Sequence, residues 1–198
     1  MNNKSGILFV ITAPSGAGKS TLVEAVLKKC NNPEMLDRVI TYTTRDARAH
    51  ERQGVDYHFV SKKQFQELKE QGFFLESSEV YGNSYGSPKS ILEDLKQGKS
   101  YIMILDAQGV ASLQAQRVKG CYIALTPSSR DIIVERLAKR GSEDQLSLEK
   151  RKNLIDHELE ALHGLAIDYL ITNDSLVESI VRLGAIIEDN LGREIYPK

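Results

Sequence analysis

Cysteine, tryptophan and long apolar runs are scarce or missing in this sequence of 198 residues, and each absence narrows the class of protein. The two cysteines, Cys30 and Cys121, lie far apart, in no metal-ligand spacing and in or beside apolar segments, so we expect two reduced core thiols. No segment approaches the roughly 20 apolar residues that a membrane-spanning helix needs. These absences favour a soluble protein of the reducing cytoplasm.

A strong net charge is also missing. With 26 Lys and Arg against 27 Asp and Glu, the formal net charge is −1, which argues against electrostatic capture of nucleic acid or of an anionic membrane. We therefore expect neither as a partner, although a balanced total can hide a local basic site. The hydrophobic share of 41% is ordinary for a globular domain, and the length suits one substantial core with small appended subdomains.

The apolar runs that are present predict alternating strands and helices. Residues 7–11 form a continuous β-branched and aromatic run, typical of a strand buried on both faces of a parallel sheet. A glycine-rich turn follows, and apolar residues at helical spacing then predict a helix over 20–29. Four more strands are predicted, at residues 39–42, 101–105, 121–125 and 169–171. Further helices are predicted from Ser61 to Gly72, from Pro88 to Gly98, around 132–137, over 154–165 and from Ser175 onward.

This alternation predicts an α/β fold, a doubly wound parallel sheet with helices on both faces. Residues 43–57 have no apolar period and are predicted as a loop, and short β segments around it predict a small inserted subdomain of mixed α/β structure with antiparallel strands. We expect a single domain over 1–198. Its predicted parts are a core at 1–38, 88–126 and 158–198, the insertion at 39–87 and a helical lid at 127–157.

A phosphate-binding loop is predicted between the first strand and the first helix. The segment Ala13-Pro14-Ser15-Gly16-Ala17-Gly18-Lys19-Ser20 departs only at Ala13 from the pattern G-x-x-x-x-G-K-[ST]. The two glycines let successive N–H groups face one anion, and the helix N-terminus adds positive partial charge. Lys19 is then placed to bridge the β- and γ-phosphates of ATP, and Ser20 to ligate Mg²⁺. A glycine-rich turn with an incidental lysine is the alternative.

Arg45 and Arg48, three residues apart in the predicted loop, indicate a second anion site, because guanidinium groups suit planar, bidentate contact with phosphate oxygens. For this pair taken alone, a solvated charged loop is the alternative. A phosphate-binding loop by itself leaves GTPases, ATPases and small-molecule kinases open. The second anion site narrows that choice.

The order of motifs along the chain resembles the guanylate kinase family, from about residue 7 to 190. The resemblance implies transfer of the γ-phosphoryl group of ATP to GMP, and to dGMP, giving ADP and GDP with Mg²⁺ as the metal. The matching segments are Ser15–Thr21, Thr43-Thr44-Arg45 with Arg48, Gly54–Tyr57, Gly82–Ser87, Asp106–Gly109, Arg136 with Arg140-Gly141, Arg151 and Thr172–Asp174.

The same resemblance implies a set of site residues. ATP would be bound by the segment from Ala13 to Thr21 and by Asn173. GMP would be bound by Thr41, Arg45, Arg48, Tyr57, Glu76, Tyr85, Ser87 and Asp106. Catalysis would fall to Lys19, Arg45, Arg136, Arg140 and Arg151, the last three in the lid. The chemistry agrees, since the carboxylate of Glu76 can accept from the N1–H and 2-amino groups of guanine and the Ser87 hydroxyl can donate to O6.

Two positions depart from the family pattern. Ile104 stands in the place of the first aspartate of L-D-x-D, which resembles a Walker B acid, so Mg²⁺ would rely on Ser20, the nucleotide phosphates and water. Asp106 could then serve the metal instead of guanine. Ser84 stands where the family commonly has another tyrosine.

Two other functions are compatible with the sequence. One is a related P-loop kinase that acts on another phosphorylated sugar or nucleotide. The other is a guanylate-kinase-like module that has lost catalysis and binds peptides; Gly18-Lys19-Ser20 and the lid arginines speak against it, and Ile104 speaks for it. The sequence does not indicate an oligomeric state.

Overall fold

The computed structural model describes residues 5–30, 34–139 and 155–196, and the elements are numbered here in chain order. The strands are β1 Leu8–Thr12, β2 Leu36–Arg38, β3 Tyr42–Thr43, β4 His58–Phe59, β5 Phe74–Val80, β6 Asn83–Pro88, β7 Ser100–Leu105, β8 Cys121–Thr126 and β9 Tyr169–Thr172. The helices are α1 Lys19–Lys29, α2 Lys62–Glu70, α3 Ile91–Lys96, α4 Ala107–Ala115, α5 Arg130–Lys139, α6 over 155–163 and α7 Leu176–Leu191.

The main sheet has the strand order β2-β7-β1-β8-β9, and every pairing in it is parallel. All five residues of the central strand β1 are buried, because helices cover both faces of the sheet. Residues of α1 and α7 pack on one face, and residues of α3 and α4 pack on the other. The predicted doubly wound α/β fold is therefore confirmed. Parallel strands end at the same edge, so the residues that follow β1, β7 and β9 come together.

A second, smaller sheet has the order β4-β3-β6-β5 and carries α2. Its pairings are mixed, since β3 pairs with β4 in parallel, whereas β6 pairs antiparallel with both β3 and β5. The predicted antiparallel strands are therefore present, but the pairing of β3 with β4 is not one of them. The predicted capping box of α2 is present, with Ser61 and Gln64 exchanging hydrogen bonds between side chain and backbone. Phe65 of α2 stacks on Phe74 of β5, with ring centroids 4.6 Å apart, and fixes the helix on the sheet.

Two predictions about element boundaries were wrong. The strand predicted at 39–42 is split: the Val39 amide still donates to the Ile102 carbonyl at 2.9 Å, but the chain then leaves the main sheet, and Tyr42 pairs with Gly86 in the smaller one. Pro88 ends β6 instead of beginning a helix, because a strand end tolerates a residue without an N–H donor. Gly86 lies within β6 against the ring of Phe74. A Cβ at this position would lie 2.8 Å from that ring, so a larger residue would not fit there without a shift.

Among the helices within the described ranges, none combines the length and the hydropathy that crossing a bilayer requires. Of the residues for which a lid was predicted, 127–157, the structure describes 127–139, which include α5, and 155–157 at the start of α6; the rest lie outside the described residues. The lid itself, and the boundaries of core and insertion, remain predictions.

Candidate active site

A pocket of about 220 Å³ lies between the carboxyl ends of the main sheet and the smaller sheet. Its lining combines the glycine-rich loop after β1, the arginine-bearing loop after β3, the β5–β6 hairpin and the end of β7. The residues predicted for the site that line it are Ala13, Ser15, Gly16, Gly18, Lys19, Ser20, Thr41, Arg45, Arg48, Tyr57, Tyr85 and Asp106. The fold thus brings together two groups of residues that are far apart in the sequence.

The glycine-rich loop has the backbone that an anion cradle requires. Gly16 and Gly18 have φ of 81° and 91°, a region in which residues with a Cβ are strained. The loop closes through the Ala17 amide, which donates to the Pro14 carbonyl at 3.2 Å, and α1 begins at Lys19. The Lys19 ammonium donates to the Ala13 carbonyl at 2.5 Å, and to Pro14 at 3.2 Å, which holds it across the mouth of the loop.

Two side chains donate to the backbone of this loop, one from the residue after the edge strand β9 and one from α5. The Nδ2 group of Asn173, just after β9, donates to the Ala17 carbonyl at 2.7 Å. Arg136 of α5 donates to the same carbonyl at 3.4 Å and to the Asp174 carbonyl at 3.2 Å. Asn173 also packs tightly, because a Cβ on Gly18 would lie 2.9 Å from its Nδ2 atom. Both predicted residues therefore reach the loop, although from behind it.

The two arginines of the second predicted anion site share one carboxylate. Glu51, whose side chain is only 7% exposed, accepts from Nη2 of Arg45 with both oxygens at 2.9 Å. It also accepts from the Arg48 backbone amide at 2.9 Å and lies 3.6 Å from the Arg48 guanidinium. This arrangement fixes both arginines with their remaining donors available to an anion in the pocket. Sequence reasoning missed Glu51, although its position three residues after Arg48 was a usable signal.

Aromatic rings border this arginine pair. The rings of Tyr57 and Tyr85 lie edge to face with centroids 6.2 Å apart. The Arg45 guanidinium carbon lies 5.4 Å from the centroid of Tyr57, within reach of a cation–π interaction. Burial raises the pKa of Tyr57 above its usual value, so its hydroxyl stays a neutral donor. A neutral phenol beside two guanidinium groups suits an anionic ligand.

Glu76 is a buried carboxylate whose side chain is directed into the protein. The residue is 3% exposed, and neither carboxylate oxygen has a hydrogen-bond partner among the described residues. Burial raises the pKa of Glu76 to about 7, against a smaller lowering by Ser87, its partner across β5 and β6. The Ser87 hydroxyl is likewise buried and unpaired within the described part of the chain. Two unpaired polar side chains side by side are what a hydrogen-bonding ligand would satisfy.

Asp106 is engaged by protein groups on both oxygens. One oxygen caps α4 by accepting from the Gly109 amide at 2.9 Å, and the other accepts from the Ser78 hydroxyl at 2.5 Å. Ile104, two residues earlier near the end of β7, lines the pocket with an apolar side chain. Within the described residues no group of three His, Cys, Asp or Glu side chains could hold a metal. Ser20, at the start of α1, lines the same pocket.

Some predicted residues lie apart from the pocket lining, among them the buried Glu76 and Ser87 and Arg136 of α5. Pro14, Ala17 and Asn173 form the rear of the loop, and Thr21 is exposed in the first turn of α1. Arg140 and Arg151 fall outside the described residues. The sequence analysis also missed Ser78, Tyr81 and Glu158, which line the pocket. For Glu158 there was no local signal, since its partner Ser15 is 143 positions away.

Comparison of the whole chain with known proteins shows which family its sequence and fold match. A family model described as guanylate kinase matches residues 5–190. A guanylate kinase of Syntrophomonas wolfei is 38% identical over 186 residues, which cover 93% of each chain. A guanylate kinase of Desulfotalea psychrophila is 39% identical over 184 residues, 92% of this chain and 88% of that one. The crystal structure of guanylate kinase from Anaplasma phagocytophilum superposes with a TM-score of 0.75 at 26% identity, covering 98% of this chain and 90% of the other.

Proposed function

The chain belongs to the guanylate kinase family, and on that basis we propose that it transfers the γ-phosphoryl group of ATP to GMP, and to dGMP, giving ADP and GDP. The observation that carries this proposal is a single pocket with an anion cradle at one end, an arginine pair at the other and an unpaired buried carboxylate beside it. A donor phosphate chain and a phosphorylated acceptor with a hydrogen-bonding base match these three parts.

The glycine-rich loop is proposed as the ATP site. Its amides and the N-terminus of α1 would receive the phosphate chain, and Lys19 would leave the carbonyls of Ala13 and Pro14 for the β- and γ-phosphates. Arg136, which donates to the Ala17 carbonyl of the loop at 3.4 Å, is proposed on the family resemblance to neutralise charge on the transferred group. Arg140 and Arg151 are proposed for the same task on the family resemblance alone.

Arg45 and Arg48 are proposed to bind the GMP phosphate, with Tyr57 and Tyr85 donating their hydroxyls. Because Glu51 holds both guanidinium groups in place, little ordering is left to occur when the phosphate binds. The acceptor oxygen needs no strong base, since a phosphate monoester is already anionic near neutral pH, with a second pKa of about 6. Positioning and charge neutralisation therefore carry the proposed transfer.

Glu76 and Ser87, with Thr41 and Asp106 nearby, are proposed to recognise guanine. The carboxylate would accept from N1–H and the 2-amino group, which adenine does not present in that arrangement, and Ser87 would donate to O6. An adenine base would leave both buried groups unpaired, and this penalty is the proposed source of selectivity.

Magnesium is proposed to enter with ATP. The Ser20 hydroxyl would be its protein ligand, and Ile104 would leave the remaining positions to phosphate oxygens and water. When bound, the metal would neutralise charge on the phosphate chain. We further propose a cytoplasmic location and a role in purine metabolism, in keeping with the absence of a disulfide between Cys30 and Cys121, both of which the structure describes.

A coupled assay of ADP release tests this function across GMP, dGMP, AMP, CMP, UMP and ribose 5-phosphate as acceptors. We expect activity with GMP and dGMP and little with the others. Activity with AMP and none with GMP would overturn the proposal in favour of another monophosphate kinase. Tight GMP binding without any ADP release would indicate a binding module instead.

A further inference from the structure

A single carboxylate, that of Glu158, joins three segments of the pocket wall that are distant in sequence. Its Oε2 atom accepts from the Ser15 backbone amide of the phosphate loop at 2.8 Å. Its Oε1 atom accepts from the Tyr81 hydroxyl, at the turn between β5 and β6, also at 2.8 Å. Glu158 itself belongs to α6. The phosphate loop, the hairpin and α6 are therefore tied together through one charged group.

The Ser15 amide belongs to the phosphate loop, both residues line the pocket, and the group that this amide contacts is an anion, the Glu158 carboxylate. The pocket there is lined by loop residues, by the Lys19 ammonium and by Glu158 together. A carboxylate oxygen at hydrogen-bond distance takes the place that a phosphate oxygen needs on the same N–H group. Two anions cannot share one donor without repulsion, so a phosphate chain that uses this amide must displace Glu158.

The other end of the link rests on an unusual backbone. Tyr81 has φ of 51°, a left-handed conformation that is uncommon for a residue other than glycine. The tyrosine is 44% exposed, so packing does little to fix its ring. Its hydroxyl donates to Oε1 of Glu158, so this bond helps to position the ring at the pocket wall.

We propose that Glu158 is an anionic placeholder of the donor site, which occupies the Ser15 amide until a nucleotide phosphate chain displaces it. The inference rests on the proposed ATP site in the same loop. A chain of phosphates contacts several loop donors at once and can therefore displace one carboxylate. A single small anion contacts about as many donors as the carboxylate does, so it displaces Glu158 much less readily. The placeholder thus favours polyphosphates over small anions.

The test is calorimetric titration of the full chain with ATP and with inorganic tripolyphosphate, comparing wild type with Glu158→Gln. Glutamine keeps the size of the side chain but removes the charge, so we expect both ligands to bind about tenfold more tightly, the size expected from hydrogen bonds to charged groups. Glu160→Gln, an exposed position on the same helix, removes the same charge away from the pocket and is the matched control. We expect it to change neither affinity by more than about twofold.

A further variant, Tyr81→Phe, keeps the inference open to refutation if Glu158→Gln folds poorly, and GMP binding is a control where Glu158→Gln folds. Tyr81→Phe leaves the charge in place but removes one of its two hydrogen bonds, and we expect tripolyphosphate to bind about two- to fivefold more tightly. GMP affinity should be equal in Glu158→Gln and Glu160→Gln, since the displaced amide belongs to the donor site.

The outcomes separate the two proposals. If wild type binds neither ATP nor tripolyphosphate, the proposed ATP site fails. If wild type binds both and Glu158→Gln binds them no more tightly than Glu160→Gln, the placeholder fails while the ATP site stands. Tightening for ATP without tripolyphosphate would also overturn it, because the contact proposed is to phosphate and not to the nucleoside.

Discussion

Replacing Glu76 with glutamine should stabilise the free protein, and by an amount that grows with pH. Burial raises the pKa of Glu76 from 4.5 to about 7, so the folded protein keeps a proton that the unfolded chain has lost between those values. Wild-type stability therefore falls as pH rises from about 4.5 to 7 and is then constant. A difference of about 2.5 in pKa corresponds to about 3 kcal/mol at pH 8. The glutamine variant carries no such penalty at any pH.

Urea denaturation at pH 5 and pH 8 measures this effect. At pH 5 the buried carboxyl is largely protonated, and the expected advantage of Glu76→Gln is about 1 kcal/mol; at pH 8 it is about 3 kcal/mol. Glu79→Gln is the matched control, since Glu79 is exposed on the same strand and should show no such trend. The comparison is between variants at each pH, so other titrating groups cancel.

GMP binding provides the functional arm of the same prediction. If guanine donates to ionised Glu76, GMP binding must release the proton, and wild-type affinity should rise about 50-fold from pH 5 to pH 7 through this group alone. The phosphate of GMP titrates in the same range, with a second pKa of about 6, so the wild-type affinity is divided by that of Glu76→Gln. The reasoning is refuted if the stability difference between the two proteins is the same at pH 5 and pH 8. A variant less stable than wild type at pH 8 would refute it equally.

Three shorter predictions address the rest of the pocket. Lys19→Met should abolish ADP release while leaving the Kd for GMP largely unchanged, and wild-type turnover in this variant would contradict the proposed role of the loop. Glu51→Gln should raise KM for GMP about tenfold or more by releasing the two arginines, whereas Glu67→Gln on an exposed helix face should not. Gly18→Ala should cost more stability than Gly72→Ala in urea denaturation: both positions have positive φ, but only the first places a Cβ against a buried amide, and equal losses would exclude that contact.

Much of the fold was predictable because its strands are buried on both faces. Residues 7–11 and 121–125 are continuous apolar runs for that reason, and they predict most of the buried strands β1 and β8. The strand at 39–42 was mispredicted because local pattern cannot tell which sheet an apolar residue serves. Val39 is buried against the main sheet, while Tyr42 packs against Phe73 and Phe74 of the insertion.

The candidate site also contains a part that the sequence predicts and a part that it does not. The phosphate loop is a local motif, since its chemistry comes from consecutive backbone amides and from glycines that allow them to converge. The partners that hold the loop are not local. Asn173 reaches the Ala17 carbonyl across 156 positions, and Glu158 reaches the Ser15 amide across 143. Nothing in the neighbourhood of Glu158 distinguishes it from the exposed carboxylates on α6, and only its place in the fold does.

Ile104 stands where the family pattern has an aspartate, and the residues around it determine what this departure means for the pocket. A carboxylate at this position would face the phosphate loop from the end of β7, where the isoleucine now lines the pocket. Asp106 cannot take over that task without giving up the cap of α4 and the Ser78 hydroxyl, so its two oxygens are already committed to the fold. Among the described residues at the loop, Glu158 is a further anion, and its carboxylate accepts from the Ser15 backbone amide. On the proposed function, the phosphate chain of the nucleotide would therefore bring most of the ligands for its metal, and the protein would contribute mainly cationic and N–H donors.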